Sequence, residues 1–328
     1  MQVLFKTNYD QDINYLVDRG ERIRVLLALV LALLAPLVVG GYFLSELTMF
    51  LVYIIAGLGL MVLVGFTGMV SFGHGAFLGI GAYTNSVLLG YGLPFFITLP
   101  AGALAAGLIG AALGRAASKM HGFYMAIATL AFAIVVETGI GAWEHVTGGH
   151  MGLSVPPMTA FGWEISAGPM QYYLILALVV FCIWGVANLM RSPTGRAFVA
   201  VRDSETSARS LGLNIARTRI KAFFISAMLT GLAGGLLSHL VFYLSPESFG
   251  VNESLKLLLM VIVGGLGTIT GAIFGAVLGD HIAVCCGQKR TAAGGQYHTF
   301  LLQQPCNHLC FALAEKRLAV ALENFRHA

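Results

Sequence analysis

Long apolar runs, separated by short polar or glycine-containing breaks, fill most of this chain. A run of about 20 apolar residues is long enough to cross a bilayer as a helix. Runs of this kind lie near residues 25–44, 47–66, 69–90, 92–114, 121–143, 172–190, 222–244 and 254–279. The last run contains Gly264-Gly265-Leu266-Gly267, where we expect the helix to break. The pattern therefore predicts an all-α polytopic membrane bundle of about eight transmembrane helices.

Composition supports this interpretation and excludes a soluble enzyme. Only 10% of the 328 residues are charged and 57% are hydrophobic, whereas a soluble domain carries about 25% charged residues. The 41 glycines favour helices that pack closely through small residues over a barrel of alternating polar and apolar positions.

The distribution of Lys and Arg predicts how the chain is oriented. Before residue 222 these residues occur only in 1–24, 115–121 and 191–221, and basic loops stay on the cytoplasmic side. Residues 144–171 contain Glu144 and Glu164 but no Lys or Arg, which predicts an external loop. The number of spans between these segments agrees with each assignment. We therefore expect a multi-pass protein with a cytoplasmic N-terminus.

The predicted topology divides the chain into three parts. Residues 1–24 form a cytoplasmic segment whose acidic and basic residues interleave, which favours a solvated or lipid-facing segment over a nucleic-acid site. Residues 25–280 form the transmembrane domain, with a cytoplasmic loop at 191–221. Residues 281–328 form a tail of different character.

The densest local pattern is a glycine-rich block from Gly65 to Tyr83, with six glycines between positions 65 and 81. Glycines weaken a helix, and irregular backbone in a membrane is tolerated only where protein or a water-filled cavity covers it. The block therefore predicts a broken helix that lines a translocation pathway, with Ser71, His74, Gly75 and Gly79 as candidate pathway residues. The alternative is close helix packing through Gly75 and Gly79 alone.

Two ionisable residues in the apolar runs have competing interpretations. His74 either faces the pathway or donates a hydrogen bond across a helix interface. Glu137 is the only carboxylate between Lys119 and Glu144, and it either lines the pathway or reaches water from the outer end of its span.

Gly267, Gly271, Gly275 and Gly279 recur every four residues. This spacing predicts one helical face that another helix approaches closely, within the chain or in another subunit.

The loop 191–221 predicts helical structure rather than a flexible tether. Pro193 suits a helix start, residues 195–210 form a basic amphipathic stretch, and Gly212 supplies a stop. Such a helix often lies on anionic lipid. Asp203 and Glu205 in the middle of the stretch favour a protein partner instead.

Four blocks give the chain a family resemblance. They are Gly65–Tyr83, His121–Phe132, Thr147–Ser154, and Ser192–Asn214 running into Lys221–Ala227. In these blocks, which lie within residues 45–280, the chain resembles the permease subunits of branched-chain amino acid ABC importers, in particular the LivM-like branch. The resemblance implies a pathway-forming subunit in the bacterial inner membrane, and it adds Thr129 to the candidate pathway residues.

The resemblance also implies partners. They are an external substrate-binding protein, two ATPase subunits, and a second permease subunit, which in this family is usually a paralogue. Because Glu205-x-x-Ala208-x-x-x-Gly212 resembles the short cytoplasmic helix that such permeases insert into an ATPase, the expected coupling residues are Arg202, Asp203, Glu205, Ala208 and Gly212.

The chain itself offers no nucleotide site. A phosphate-binding loop needs Gly-Lys-Ser/Thr, and the only Lys followed by Ser or Thr is Lys6, which has no glycine near it. We therefore expect no cofactor in this chain, with ATP bound by the partner subunits.

After about Asp280 the chain departs from the family pattern, since a stretch rich in Gln, His and Cys replaces the expected apolar span. Cys306-Asn-His308-Leu-Cys310 fits no standard zinc spacing, so we expect no metal site. Two other functions stay open at this point. A sister permease of the same family would import urea or short amides, and an ion-coupled secondary transporter would rely on Glu137.

Overall fold

A computed structural model describes residues 30–37, 40–118, 120, 122–160, 163–165 and 168–276. The segment 1–24, the tail 281–328 and Gly279 lie outside the described residues, and the predicted span 25–44 is described only in part.

The described chain is mainly helical. Residues 30–37 are helical, and the longer helices are α1 (Gly41–Leu60), which continues as a π-helical turn (Met61–Gly65), α2 (His74–Gly90), α3 (Phe95–Ala117), α4 (Phe123–Ala142), α6 (Pro169–Arg191), α7 (Pro193–Asp203), α9 (Ile215–Val241) and α10 (Val251–Gly264). Two short helices, α5 (Glu144–Thr147) and α8 (Glu205–Ser210), lie between them. A further helical stretch covers 269–276.

Short strands lie only in the connections of the described chain. They are β1 (Leu153–Ser154), β2 (Met158–Ala160), β3 (Trp163–Ile165) and β4 (Tyr243–Leu244), and 3-10 turns cover Gly149–Met151 and Pro246–Phe249. β1 pairs antiparallel with β4, and β2 pairs antiparallel with β3. The β1–β4 pair joins the segment after α4 to the end of α9.

Five helical segments of the described chain are long and apolar enough to cross a membrane: Gly41–Gly65, Phe95–Ala117, Phe123–Ala142, Pro169–Arg191 and Ile215–Val241. The all-α membrane bundle is therefore confirmed. The predicted spans 69–90 and 254–279 are shorter helices, because the chain at 68–73 is not helical and α10 ends at Gly264. At 1.5 Å per residue, α10 is only about 21 Å long, which is less than the thickness of the hydrocarbon core.

Helix α9 lies at the centre and packs against α1, α2 and α3. Glycines permit this approach. A Cβ atom on Gly234 would collide with the backbone of Leu78, and one on Gly81 would collide with the backbone of Gly231. The prediction that glycines serve close helix packing is confirmed.

The break predicted at residues 264–267 is also confirmed. Gly265 and Gly267 have φ of 113° and 82°, which favour glycine. The chain then turns back, so that Cβ atoms on Gly271 and Gly275 would collide with α10 backbone atoms. The partner helix therefore belongs to the same chain. The prediction that Gly267 shares this helical face was wrong, because Gly267 forms the turn itself.

The loop 191–221 is helical, as predicted. Its amphipathic stretch forms two helices, α7 and α8, separated by Ser204, whose side chain accepts a hydrogen bond from the N–H of Ser207. Asn214 caps α9 in the same way, by accepting from the N–H of Arg217. Because α9 begins at Ile215, residues 215–221 form its first turns and not part of the loop.

Candidate functional site

The first part of the site is the segment that enters α2. Segment 68–73 leaves helical geometry at Gly68, where φ is 70°. The N–H of Phe72 donates to Thr129 Oγ1 at 3.0 Å, and the N–H of Gly73 donates to Ser71 Oγ at 3.3 Å. Ser71 and Thr129 are fully buried, so both side chains supply acceptors that the broken helix would otherwise lack.

His74 begins α2 and connects three helices. Its Nε2 lies 2.7 Å from Ser226 Oγ on α9, and that hydroxyl donates to the carbonyl of Gly59 on α1 at 2.6 Å. Because the single hydroxyl proton points to Gly59, the imidazole Nε2–H must be the donor to Ser226. This geometry matches the interpretation of His74 as a hydrogen bond across a helix interface.

Gly75 and Gly79 pack against the chain that enters α10. The N–H of Gly75 donates to Ser254 Oγ at 2.8 Å. A Cβ atom on Gly75 would lie 2.7 Å from the carbonyl oxygen of Gly250, and one on Gly79 would lie 2.9 Å from Phe249 Cβ. Both distances are shorter than real Cβ contacts, so glycine is required for this approach.

Glu137 reaches the same place from α4. Its side chain is half-buried, and a Cβ atom on Gly250 would lie 2.9 Å from the carboxyl carbon. Gly250 is the N-cap residue of α10, and the unsatisfied N–H groups at a helix N-terminus favour a negative charge. We call residues 68–75 together with Thr129, Glu137, Phe249, Gly250 and Ser254 the glycine junction.

Sequence reasoning missed a buried carboxylate in α10. Glu253 is 7% exposed. It accepts a hydrogen bond from Tyr53 Oη at 2.8 Å and pairs with Lys256 Nζ at 3.0 Å. The spacing of Glu253 and Lys256, three residues apart, was the available signal. The contact with Tyr53 on α1 requires the tertiary structure.

The second part of the site is the α7–α8 loop, where Arg202 contacts its own chain. Arg202 Nη1 donates to the carbonyl of Gly65, at the end of the π-helical turn, at 2.7 Å. Its aliphatic stem covers Gly68, where an added Cβ would lie 3.2 Å from Arg202 Cγ. The loop therefore contacts the edge of the glycine junction directly.

Glu205 forms an ion pair with Arg219 on α9. Arg219 is buried, and its Nη1 also donates to the carbonyls of Ser118 and Met120, just beyond α3, at 2.9 and 2.8 Å. Sequence reasoning counted Arg219 only as a basic loop residue. Its contacts place the segment after α3 and the α7–α8 loop on the same side, as their shared basic character predicted.

The remaining loop residues have distinct roles. Ala208 is buried against Val201 and Ile215, so it holds α8 against α7 and α9. Asp203 is exposed at the end of α7. Gly212 has a φ of 82°, and its N–H donates to the carbonyl of Arg209 at 3.0 Å, which ends α8 as predicted.

The chain that carries these features matches a known protein family. The profile of the family described as "Branched-chain amino acid transport system / permease component" matches residues 42–284, which include the glycine junction and the α7–α8 loop. The chain belongs to this permease family. It is therefore a membrane subunit of the ABC importer class and not an enzyme.

Individual relatives of the permease agree. It is 36% identical over 283 residues to the high-affinity branched-chain amino acid transport system permease protein LivM of Salmonella typhimurium, covering 79% of this chain and 67% of the relative, and equally similar to LivM of Escherichia coli K12. It is 28% identical over 280 residues to the autoinducer 2 import system permease protein LsrC of Escherichia coli, covering 80% and 77%. No solved structure matches the permease significantly.

Proposed function

We propose that this permease imports branched-chain amino acids that an external binding protein delivers, and that two ATPase subunits drive it from the cytoplasm. A second permease subunit, a paralogue of this chain, completes the pathway in the bacterial inner membrane. The observation that carries the proposal is the 36% identity to LivM over 79% of the chain, combined with a basic two-helix loop that contacts the broken helices.

The proposed ATPase contact is the α7–α8 loop. Arg202, Asp203, Glu205, Ala208 and Gly212 lie in or between its two helices or at its end. Arg202 and the partner of Glu205, Arg219, bind carbonyls at the ends of α1 and α3. Force applied to this loop would therefore reach two transmembrane helices through hydrogen bonds rather than through a flexible linker.

The proposed pathway wall is the face of α4 that carries Glu137. In the most apolar window of α4 only 22% of residues are buried, compared with 78% for α1, so α4 lies at the periphery of this subunit. An ionisable side chain on such a helix faces water or protein rather than lipid. We therefore assign Glu137 to a pathway between this subunit and the second permease. Five further residues stabilise the packing of the adjoining wall: Ser71, His74, Gly75, Gly79 and Thr129.

The first experiment is mass spectrometry of the proteins that co-purify with this chain from gently solubilised native membranes. We expect ATPase subunits and a second, different permease. Recovery of the chain alone, under conditions that preserve other transporter complexes, would contradict the proposal.

The substrate is identified by measuring uptake with the reconstituted complex and its binding protein. We expect ATP-dependent uptake of radiolabelled leucine that unlabelled isoleucine and valine suppress. Suppression by urea or acetamide instead would assign the permease to the amide-importing branch. Suppression by autoinducer 2 would relate its substrate to that of the LsrC-like relatives.

A further inference from the structure

The ends of two broken helices meet beside the α7–α8 loop. The π-helical turn after α1 ends at Gly65, and α10 ends at Gly264 before the turn at Gly265–Gly267. A Cβ atom on Gly65 would lie 2.9 Å from the backbone nitrogen of Gly267. The N–H of Gly267 in turn donates to Met61 Sδ at 3.2 Å. The turn after α10 therefore packs closely against the end of the α1 segment.

Both ends have the same electrostatic character. The last carbonyls of a helix lack intrahelical partners, and the helix dipole gives its C-terminus a partial negative charge. Two such ends brought near each other favour a cation beside them. A residue that supplies both a positive charge and several donors stabilises this arrangement.

Arg202 occupies this position. Its Nη1 donates to the Gly65 carbonyl at 2.7 Å, and a Cβ atom on Gly267 would lie 2.9 Å from the same Nη1. The guanidinium group therefore lies between the end of the π-helical turn and the Gly265–Gly267 turn that follows α10, while its backbone belongs to α7. Its planar fork of five N–H donors can bind both ends at once, which the single ammonium group of Lys does less well.

We propose that Arg202 is a positioning residue that holds the end of the α1 segment against the turn that follows α10 and transmits displacement of α7–α8 to both. This inference rests on the proposed function, in which ATPase subunits bind the α7–α8 loop. It goes beyond the sequence prediction, which placed Arg202 among the residues of the ATPase-coupling loop without naming its contacts. In the structure, the guanidinium group contacts this subunit's own helix breaks.

The position of Arg202 distinguishes it from other basic residues of the loop. Arg196 lies on the same helix six residues earlier, and both residues are exposed, but it is Arg202 that donates to the Gly65 carbonyl. Removal of Arg196 changes the loop's charge by the same amount and leaves the Gly65 contact in place. The pair of variants therefore separates loss of a specific contact from loss of positive charge.

The experiment uses the complete transporter in proteoliposomes, with wild type, Arg202→Ala, Arg202→Lys and the control Arg196→Ala. Three quantities are measured: bound ATPase subunits, ATP hydrolysis stimulated by the binding protein, and leucine taken up per ATP hydrolysed. For Arg202→Ala we expect ATPase binding to persist, hydrolysis to stay within about twofold, and uptake per ATP to fall about tenfold, in the range of coupling between two sites. Arg202→Lys should restore part of this ratio, and Arg196→Ala should leave it unchanged.

Two results would overturn the proposal. An unchanged ratio of uptake to hydrolysis in Arg202→Ala would show that the contact transmits nothing. Loss of bound ATPase subunits in Arg202→Ala would show that Arg202 serves the docking surface. Neither result affects the proposed function, which fails only if the wild-type complex binds no ATPase subunits or shows no ATP-dependent uptake.

Discussion

The glycine junction and the α7–α8 loop both depend on glycine, but for different reasons. Gly75 has helical backbone, and a Cβ atom there would lie 2.7 Å from the Gly250 carbonyl oxygen. Gly212 has open space around it, but its φ is 82°. The first glycine is required by its neighbours and the second by its own backbone. The junction should therefore tolerate no added volume, while the loop should tolerate any residue that adopts its turn.

The two regions also differ in how they satisfy polar groups. The junction uses short neutral side chains, such as Thr129 and Ser254, to accept hydrogen bonds from backbone N–H groups. At the loop, Arg202 of α7 and Arg219 of α9 donate to carbonyls at helix ends. Hydrogen bonds made by neutral side chains suit a membrane interior, where an isolated charge is costly. Hydrogen bonds made by charged side chains suit the boundary with water.

The largest effect is expected from Gly75→Leu. The new side chain would collide with backbone of the α10 entry, which cannot move away as a side chain can. We expect a loss of at least about 3 kcal/mol in stability, at the upper end of overpacking effects. The protein level in the membrane and leucine uptake should both fall sharply.

The control for this variant is Gly90→Leu, at the other end of the same helix. A Cβ atom on Gly90 meets nothing within 4 Å, so this variant should behave as wild type. Normal uptake in Gly75→Leu would remove the tight α2–α10 contact from the mechanism.

The second largest effect is expected from Arg219→Ala. This change removes Arg219 as a donor to the carbonyls of Ser118 and Met120 and to the carboxylate of Glu205. Because Glu205 is 33% exposed, water replaces part of the lost interaction, and we expect a loss of about 2–3 kcal/mol. Thermal unfolding in detergent measures it.

Arg217→Ala is the matched control for Arg219, because Arg217 lies on the same helix and is exposed. Its unfolding temperature should match that of wild type. Equal losses in the two variants would show that net charge matters here rather than the buried contacts.

The sequence predicted the helical class and the position of both helix breaks, because these depend on local composition. It also named glycines and loop residues whose contacts the structure describes. It did not reveal what they contact, since the partners of His74, Gly75 and Arg202 lie 152, 179 and 137 residues away in the chain. Arg219 was missed for the same reason, because its partners are specified by packing. For Glu253 the spacing to Lys256 was a local signal, but its burial and its contact with Tyr53 depend on packing.

A smaller effect is expected from Gly212→Ala. An L-residue in the left-handed region costs about 1 kcal/mol or slightly more, while the Cβ atom itself meets no neighbour. Gly212→Asn should cost less, because Asn adopts this conformation more readily. ATPase binding and thermal stability should therefore fall in the order wild type, Asn, Ala. Equal behaviour of Asn and Ala would show that side-chain size, not backbone conformation, limits this position.

The smallest change in stability, and the sharpest test of the pathway, is expected from Glu137→Gln. The substitution keeps the shape but removes the charge beside the α10 N-terminus, which typically contributes about 0.3–1 kcal/mol. Membrane levels should be nearly normal. If the α4 face borders the pathway, leucine uptake should nevertheless fall by about tenfold, because an interaction with the moving substrate contributes more than one made only with the helix end.

The control is Glu144→Gln, which changes an exposed carboxylate beyond the same helix. It should change neither the membrane level nor leucine uptake. If Glu137→Gln transports normally while losing the expected stability, its carboxylate serves α10 alone and the pathway lies along another face.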